Sequence, residues 1–180
     1  MDIQKVQEII HKIADGFEDN ALQCLANQSD VVVRAITEQL YCGQNGDGEH
    51  LSPTYLNDDF FIKYNWHHVS EETGKEYFGA RGYMEWKKDI TPPESSEMLG
   101  LPPRPEDVPN LYIYGTFHRD ISATLVDDGL RISPGNNDGP AIVMKYGDSI
   151  LNMGPTAIEY FNANYLWPAI ENFYKDCGYK

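Results

Sequence analysis

Residues 110–132 constrain this chain most strongly, because apolar alternation, a glycine and a tight-turn signal follow one another there without a gap. Leu111 and Ile113 alternate with Tyr112 and Tyr114, the period-two pattern of a strand with one buried face. Gly115 follows, where a backbone without a Cβ can change direction. Phe117 and Ile121 are four apart, so a helical turn over 116–122 sends both to one side and leaves His118, Arg119 and Asp120 facing out. Asp127-Asp128-Gly129 then separates two β-prone runs, 123–126 and 130–132. Aspartate and glycine tolerate the positive φ of tight turns, so a β-hairpin is expected.

Gly115, Phe117, Asp120 and Ile121, followed by this hairpin and by Tyr146-Gly147, resemble a pattern found in the tail-completion and neck proteins of tailed bacteriophages. That pattern runs glycine, a spacer, a large apolar residue, two spacers, a small polar residue and isoleucine, with a Tyr-Gly pair later. The chain departs from it at Tyr114, where threonine is usual, and at Asp120, where serine is common. The resemblance extends from residue 110 to the end of the chain. It implies a non-enzymatic virion structural protein, a head–tail connector forming a ring between portal and tail. Its partners would be copies of itself and portal, connector or tail-tube proteins. It would be made in the host cytoplasm and end in the virion.

At 180 residues one domain is expected, since folding at this length buries roughly 70% of the extended-chain surface. Cys24, Cys42 and Cys177 are odd in number and widely spaced, which excludes zinc-ribbon and Cys-x-x-Cys chemistry and suits free thiols in a reducing cytoplasm. Fourteen basic against 28 acidic residues give a net charge of −14, which opposes direct binding to nucleic acid or to anionic membrane surfaces. The same charge supports an alternative reading as an acidic module that engages a basic protein. No apolar run approaches the roughly 20 residues of a membrane-spanning helix, and residues 1–4 lack the basic and apolar regions of a secretion signal.

The expected fold is α+β, an antiparallel sheet of three or four strands flanked by N- and C-terminal helices, with a long Pro-rich arm. Ile3, Val6, Ile9, Ile10 and Ile13 predict a first helix stopped at Asp15-Gly16. Two shorter helices follow, through Leu22 and Leu25 and through Val33, Ile36 and Leu40, so that residues 1–42 form a helical arm in three segments. Tyr55, Phe60, Phe61, Tyr64 and Trp66 lie in turn and irregular chain and are candidate interface residues. Residues 76–89 predict a helix in spite of Gly79 and Gly82. Six prolines and no periodicity make 91–110 a loop or arm, where Pro102, Pro103 and Pro105 are further interface candidates. Residues 111–180 hold the sheet core and closing helix, with 141–147 as a strand and Pro155 opening a helix that Pro168 interrupts. Gly115, Phe117, Asp120, Ile121, Tyr146 and Gly147 are motif and core residues.

No catalytic constellation stands out, and neither a cofactor nor a metal is expected. His118-Arg119-Asp120 is similar to a kinase catalytic loop, but Leu125 occupies the position of its magnesium-binding asparagine. His67, His68, Glu71 and Glu72 offer two His/Glu pairs four apart on a helix, without a third ligand. The glycine loops at 43–49 and 136–139 fail the calcium-loop register, with Gly43 and Pro134 at the first ligand position. A third reading, an enzyme whose site is assembled only in space, is left without a named residue.

Overall fold

The computed structural model describes residues 2–135 and 137–179. Helix α1, Ile3–Asn27, starts at Asp2, whose side chain accepts from the Gln4 N–H, and runs straight through Asp15-Gly16. Gly16 is not a stop, because the ring of Phe173 lies against it: a Cβ there would be 3.0 Å from the ring. The helix interior tolerates the glycine, at a cost of about 1 kcal/mol, for a close approach of two helices. The neighbour is α8, Trp167–Asp176. Gly178 lies beside Ile9, Tyr174 beside Phe17 and the Tyr165 carbonyl beside the Cys24 thiol, so the two helices run antiparallel.

Helix α2, Ser29–Tyr41, is the centre of the core and not part of an arm. Its Val32, Ile36 and Leu40 pack with Leu51, Val108, Phe117, Ile121, Ile150 and Phe161. Complete burial of one such side chain stabilises by about 1.5–3 kcal/mol. On its other side Ala35, with Cys42 just beyond the helix, meets Leu99, Leu101 and Ala157. Gln39, also buried, donates to the Asn152 carbonyl at 2.7 Å and accepts from the Gly154 N–H at 2.8 Å. That pair of bonds fixes the start of α7, Pro155–Phe161, over α2. A π-turn, Asn162–Leu166, joins α7 to α8, and Pro168 in the first turn of α8 lacks the donor that a regular helix would use there. Cys24, Cys42 and Cys177 are buried free thiols.

The chain mixes helix with antiparallel strand, but among the described residues the strands form two separate two-stranded sheets and not one sheet of three or four. Strands β1, His67–Val69, and β2, Glu76–Phe78, pair in one. Strands β3, Ser122–Val126, and β4, Gly129–Ser133, form the expected hairpin, with Ser122 opposite Ser133 and Val126 opposite Gly129. Asp127 and Asp128 connect them without positive φ; Leu111 is the one described non-glycine residue that has it.

Three expected strands and helices are replaced. Residues 111–114 do not extend: the Asn110 side chain accepts from the Tyr112 N–H at 3.1 Å and curls the backbone, and Leu111 sits at φ 52°. Residues 141–147 belong to α6, Gly139–Tyr146, because Pro140 preorganises a first helical turn and a short apolar run carries no period of its own. Residues 76–78 are strand, and α4 spans Gly79–Ile90. The Pro-rich segment has no regular element, yet Leu99, Leu101, Arg104 and Val108 are buried, so it is packed down along the body and does not project.

Candidate assembly surface and polar interior

Asp58 organises the aromatic segment. Its carboxylate accepts from the Phe60 N–H at 3.0 Å, capping α3, Asp59–Lys63, and pairs with Lys145 of α6. The cap turns residues expected to be irregular into one helical turn, which fixes the side-chain directions. Phe61 enters a ring cluster with Tyr55 at 6.2 Å and Tyr83 of α4 at 4.3 Å. Trp66 joins through Tyr83 at 4.9 Å and Trp86 at 5.6 Å. Tyr55 is buried and Tyr83 half-buried, and their hydroxyls are pushed up by desolvation, in the case of Tyr55 to about 12.

The other apolar side chains of this region face out. Phe60 is 48% exposed, Ile62 64%, Tyr64 65% and Phe78 55%, with Leu56 and Val69 also exposed. Phe60 touches both Phe61 and Tyr64, so the outer rings rest on the inner cluster and are held in place by it. Hairpin β1–β2 is tied down in turn: Tyr77 donates to Asp89 of α4 at 2.7 Å, and Lys75 reaches the same carboxylate at 3.0 Å. The segment thus exposes several large apolar and aromatic side chains beside a packed ring cluster, the composition enriched where proteins meet proteins. Of the candidate interface residues, Phe60 and Tyr64 lie on this surface, Phe61 and Trp66 are half-buried supports and Tyr55 is core. Pro102, Pro103 and Pro105 are exposed on the packed-down segment.

Of the motif residues expected in the core, Gly115, Phe117 and Ile121 are buried, Asp120 and Tyr146 are half-buried and Gly147 is exposed. Gly115, at φ 73°, starts α5, Thr116–Asp120, and a Cβ there would lie 2.8 Å from the Tyr112 ring. Phe117 and Ile121 are buried as expected, and Asp120 packs against Gly135. Tyr146 ends α6 half-buried, its hydroxyl pushed up by desolvation and by Asp58, and Gly147 closes the helix with positive φ.

His118, expected outside, is buried, and belongs to a polar interior that residue-by-residue reading missed. Its Nε2 lies 3.0 Å from the Asn110 carbonyl, which can only accept, so Nε2 carries the proton. Burial holds His118 down at about 4, with Lys87 adding to the effect and the hydrogen bond opposing it. Lys87 of α4 is 1% exposed and donates to the Tyr112 carbonyl. Desolvation, with Arg104 nearby, lowers it to about 7. Arg104 is buried too, and its guanidinium binds the carbonyls of Val108 at 2.8 Å and Thr91 at 3.1 Å. The turn at Asn110–Tyr112 thus presents two carbonyls to two buried side chains, which accounts for the unusual backbone at Leu111. Helical projection was the available signal: Lys87 falls on the apolar side of α4 with Tyr83, Trp86 and Ile90.

His67 and His68 are neighbours in a strand and not on a helix, so they point to opposite faces. His67 stacks on Phe78 at 4.4 Å and His68 lies against Trp66 and Trp86. Among the described residues no three His, Cys, Asp or Glu side chains come together as a metal site. Of the 136–139 loop, Asn136 lies outside the described residues. No helix among the described residues is long and apolar enough to cross a membrane. No family model, curated protein or solved structure matches this chain.

Proposed function

We infer that this chain is a non-enzymatic structural protein of a tailed-bacteriophage particle, a tail-completion or neck component that forms a ring between portal and tail. The observation that carries the assembly role is the exposed Phe60–Tyr64 ring pair, held against Phe61 of the inner cluster, with Ile62 and Phe78 also left in water nearby in the chain. A neighbouring virion protein would cover it, burying apolar area and leaving the charges of the chain at the rim. The place in the particle rests on the resemblance of Gly115, Phe117, Asp120, Ile121 and Tyr146-Gly147 to the connector pattern. Mass spectrometry of purified particles, with electron microscopy of the isolated protein, tests it: the chain is expected in the particle and as rings in isolation. A monomer absent from particles overturns the reading.

A second reading, an acidic module for a basic partner, draws on the net charge of −14. It predicts an affinity that falls steeply with salt, whereas contact through the aromatic surface changes little.

A further inference from the structure

A pocket of about 250 Å³ lies between the turn at residues 111–114, α5 and the start of α6. Leu111, Phe117 and Ile142 supply its apolar lining, with Ile113 and Tyr114 exposed beside them. Asp120, at the end of α5, and Asp138, just before α6, are the charged side chains of the lining. Neither is ion-paired among the described residues. The neighbouring cation, Arg119, donates to the Tyr114 carbonyl at 2.8 Å and the Thr116 hydroxyl at 3.5 Å, and lines a different groove, beside α2. Even with that guanidinium counted against the two carboxylates, the pocket is negative.

One wall of this pocket is held from inside the molecule. Lys87 donates to the Tyr112 carbonyl and His118 to the Asn110 carbonyl, while the Asn110 side chain accepts from the Tyr112 N–H. These bonds pin the turn that places Leu111, at positive φ, in the pocket lining. A wall fixed in this way does not have to be ordered when a ligand arrives, which lowers the cost of binding.

We propose that this pocket receives an arginine side chain from an exposed segment of a basic partner protein. The aliphatic stem lies on Leu111, Phe117 and Ile142, and the guanidinium meets Asp120 and Asp138. A guanidinium carries five N–H donors in a fork that matches carboxylates, and it is more weakly hydrated than an ammonium, which suits a recessed site. A purely apolar side chain would cover the two carboxylates without pairing them, and an acidic one would be repelled. The net charge of −14 draws a basic protein toward the chain from a distance, and the pocket gives that attraction a defined end point. This site rests on the acidic-module reading above and names where the partner docks.

The test titrates the peptide Ac-Gly-Leu-Arg-Leu-Gly-NH2 into the full chain at low salt, read by NMR of the methyl groups of Leu111, Ile113 and Ile142. A twin peptide carries citrulline, which has the shape of arginine without its charge. The arginine peptide is expected to shift these signals with a Kd of about 1 mM or tighter, and the twin to bind about tenfold or more weakly. Asp120→Asn/Asp138→Asn removes both charges at nearly constant volume and should bring the two peptides to equal, weak affinity. Asp138→Asn alone, at an exposed position, should reduce the preference for arginine without disturbing the fold. An arginine peptide that binds both variants as it binds the wild type, or that leaves these three methyl groups unshifted, overturns the site. Polylysine probes the acidic-module reading separately: if it binds at low salt while the pocket fails, that reading stands, and if it does not bind, both fall.

Discussion

Replacing Lys87 by methionine keeps an unbranched side chain of similar length and removes the ammonium group from a site only 1% exposed. An unfolded chain protonates this lysine below roughly 10.4, whereas the fold does so only below about 7. Between those values the unfolded state holds more protons, so the stability contributed here falls as pH drops toward 7 and is level below it. At about 1.4 kcal/mol per pH unit the whole difference is about 5 kcal/mol, and about 3 kcal/mol of it lies between pH 7 and 9.5. Methionine escapes this penalty but leaves the Tyr112 carbonyl without its donor, a loss of about 1–3 kcal/mol. At pH 7, the midpoint in the fold, about 4 kcal/mol of this penalty applies, so Lys87→Met is expected to exceed the wild type by about 1–3 kcal/mol there and to lose that advantage by pH 9.5. Urea unfolding followed by tryptophan fluorescence at the two pH values measures this. Staying below pH 10 avoids ionising the tyrosines, whose hydroxyls are raised in the fold. A difference between variant and wild type that does not change with pH would refute the reasoning.

His118 titrates at about 4 in the fold and near 6.5 unfolded, so the stability it contributes is present above about 6.5 and is lost as pH falls toward 4. The loss is about 3 kcal/mol, and thermal melts at pH 6.5 and 4 should show a smaller drop for His118→Gln than for the wild type. Gly115→Ala puts a Cβ at φ 73° and 2.8 Å from the Tyr112 ring, and should cost at least about 1–2 kcal/mol in chemical unfolding. Ile62→Asp with Tyr64→Lys alters only exposed side chains, so the melting midpoint should stay close to that of the wild type while incorporation into particles is lost.

The β3–β4 hairpin was legible because its information is local: two β-prone runs and a two-residue turn suffice to define it. So were the buried pair Phe117 and Ile121, whose spacing of four needs only one helical turn. Residues 141–147 were not, since a short apolar run fits a strand and a helix equally until Pro140 is given its weight. Gly16 misled for a tertiary reason, the ring of Phe173 arriving from the other end of the chain. The aromatic segment could be recognised as sticky but not sorted into core and surface. That division depends on Tyr83 and Trp86, which come from a different helix. The buried Lys87, Arg104 and His118 required contacts between α4, the Pro-rich segment and α5, which no single stretch records.

Covalent labelling of aromatic side chains reads the aromatic surface directly, in the isolated protein and in purified particles. Phe60, Tyr64 and Phe78 should react readily in isolation and be shielded in the particle, while buried Tyr55 is unreactive in both. Equal reactivity of the three exposed rings in both preparations would mean that nothing covers them, and would contradict an assembly role for this face.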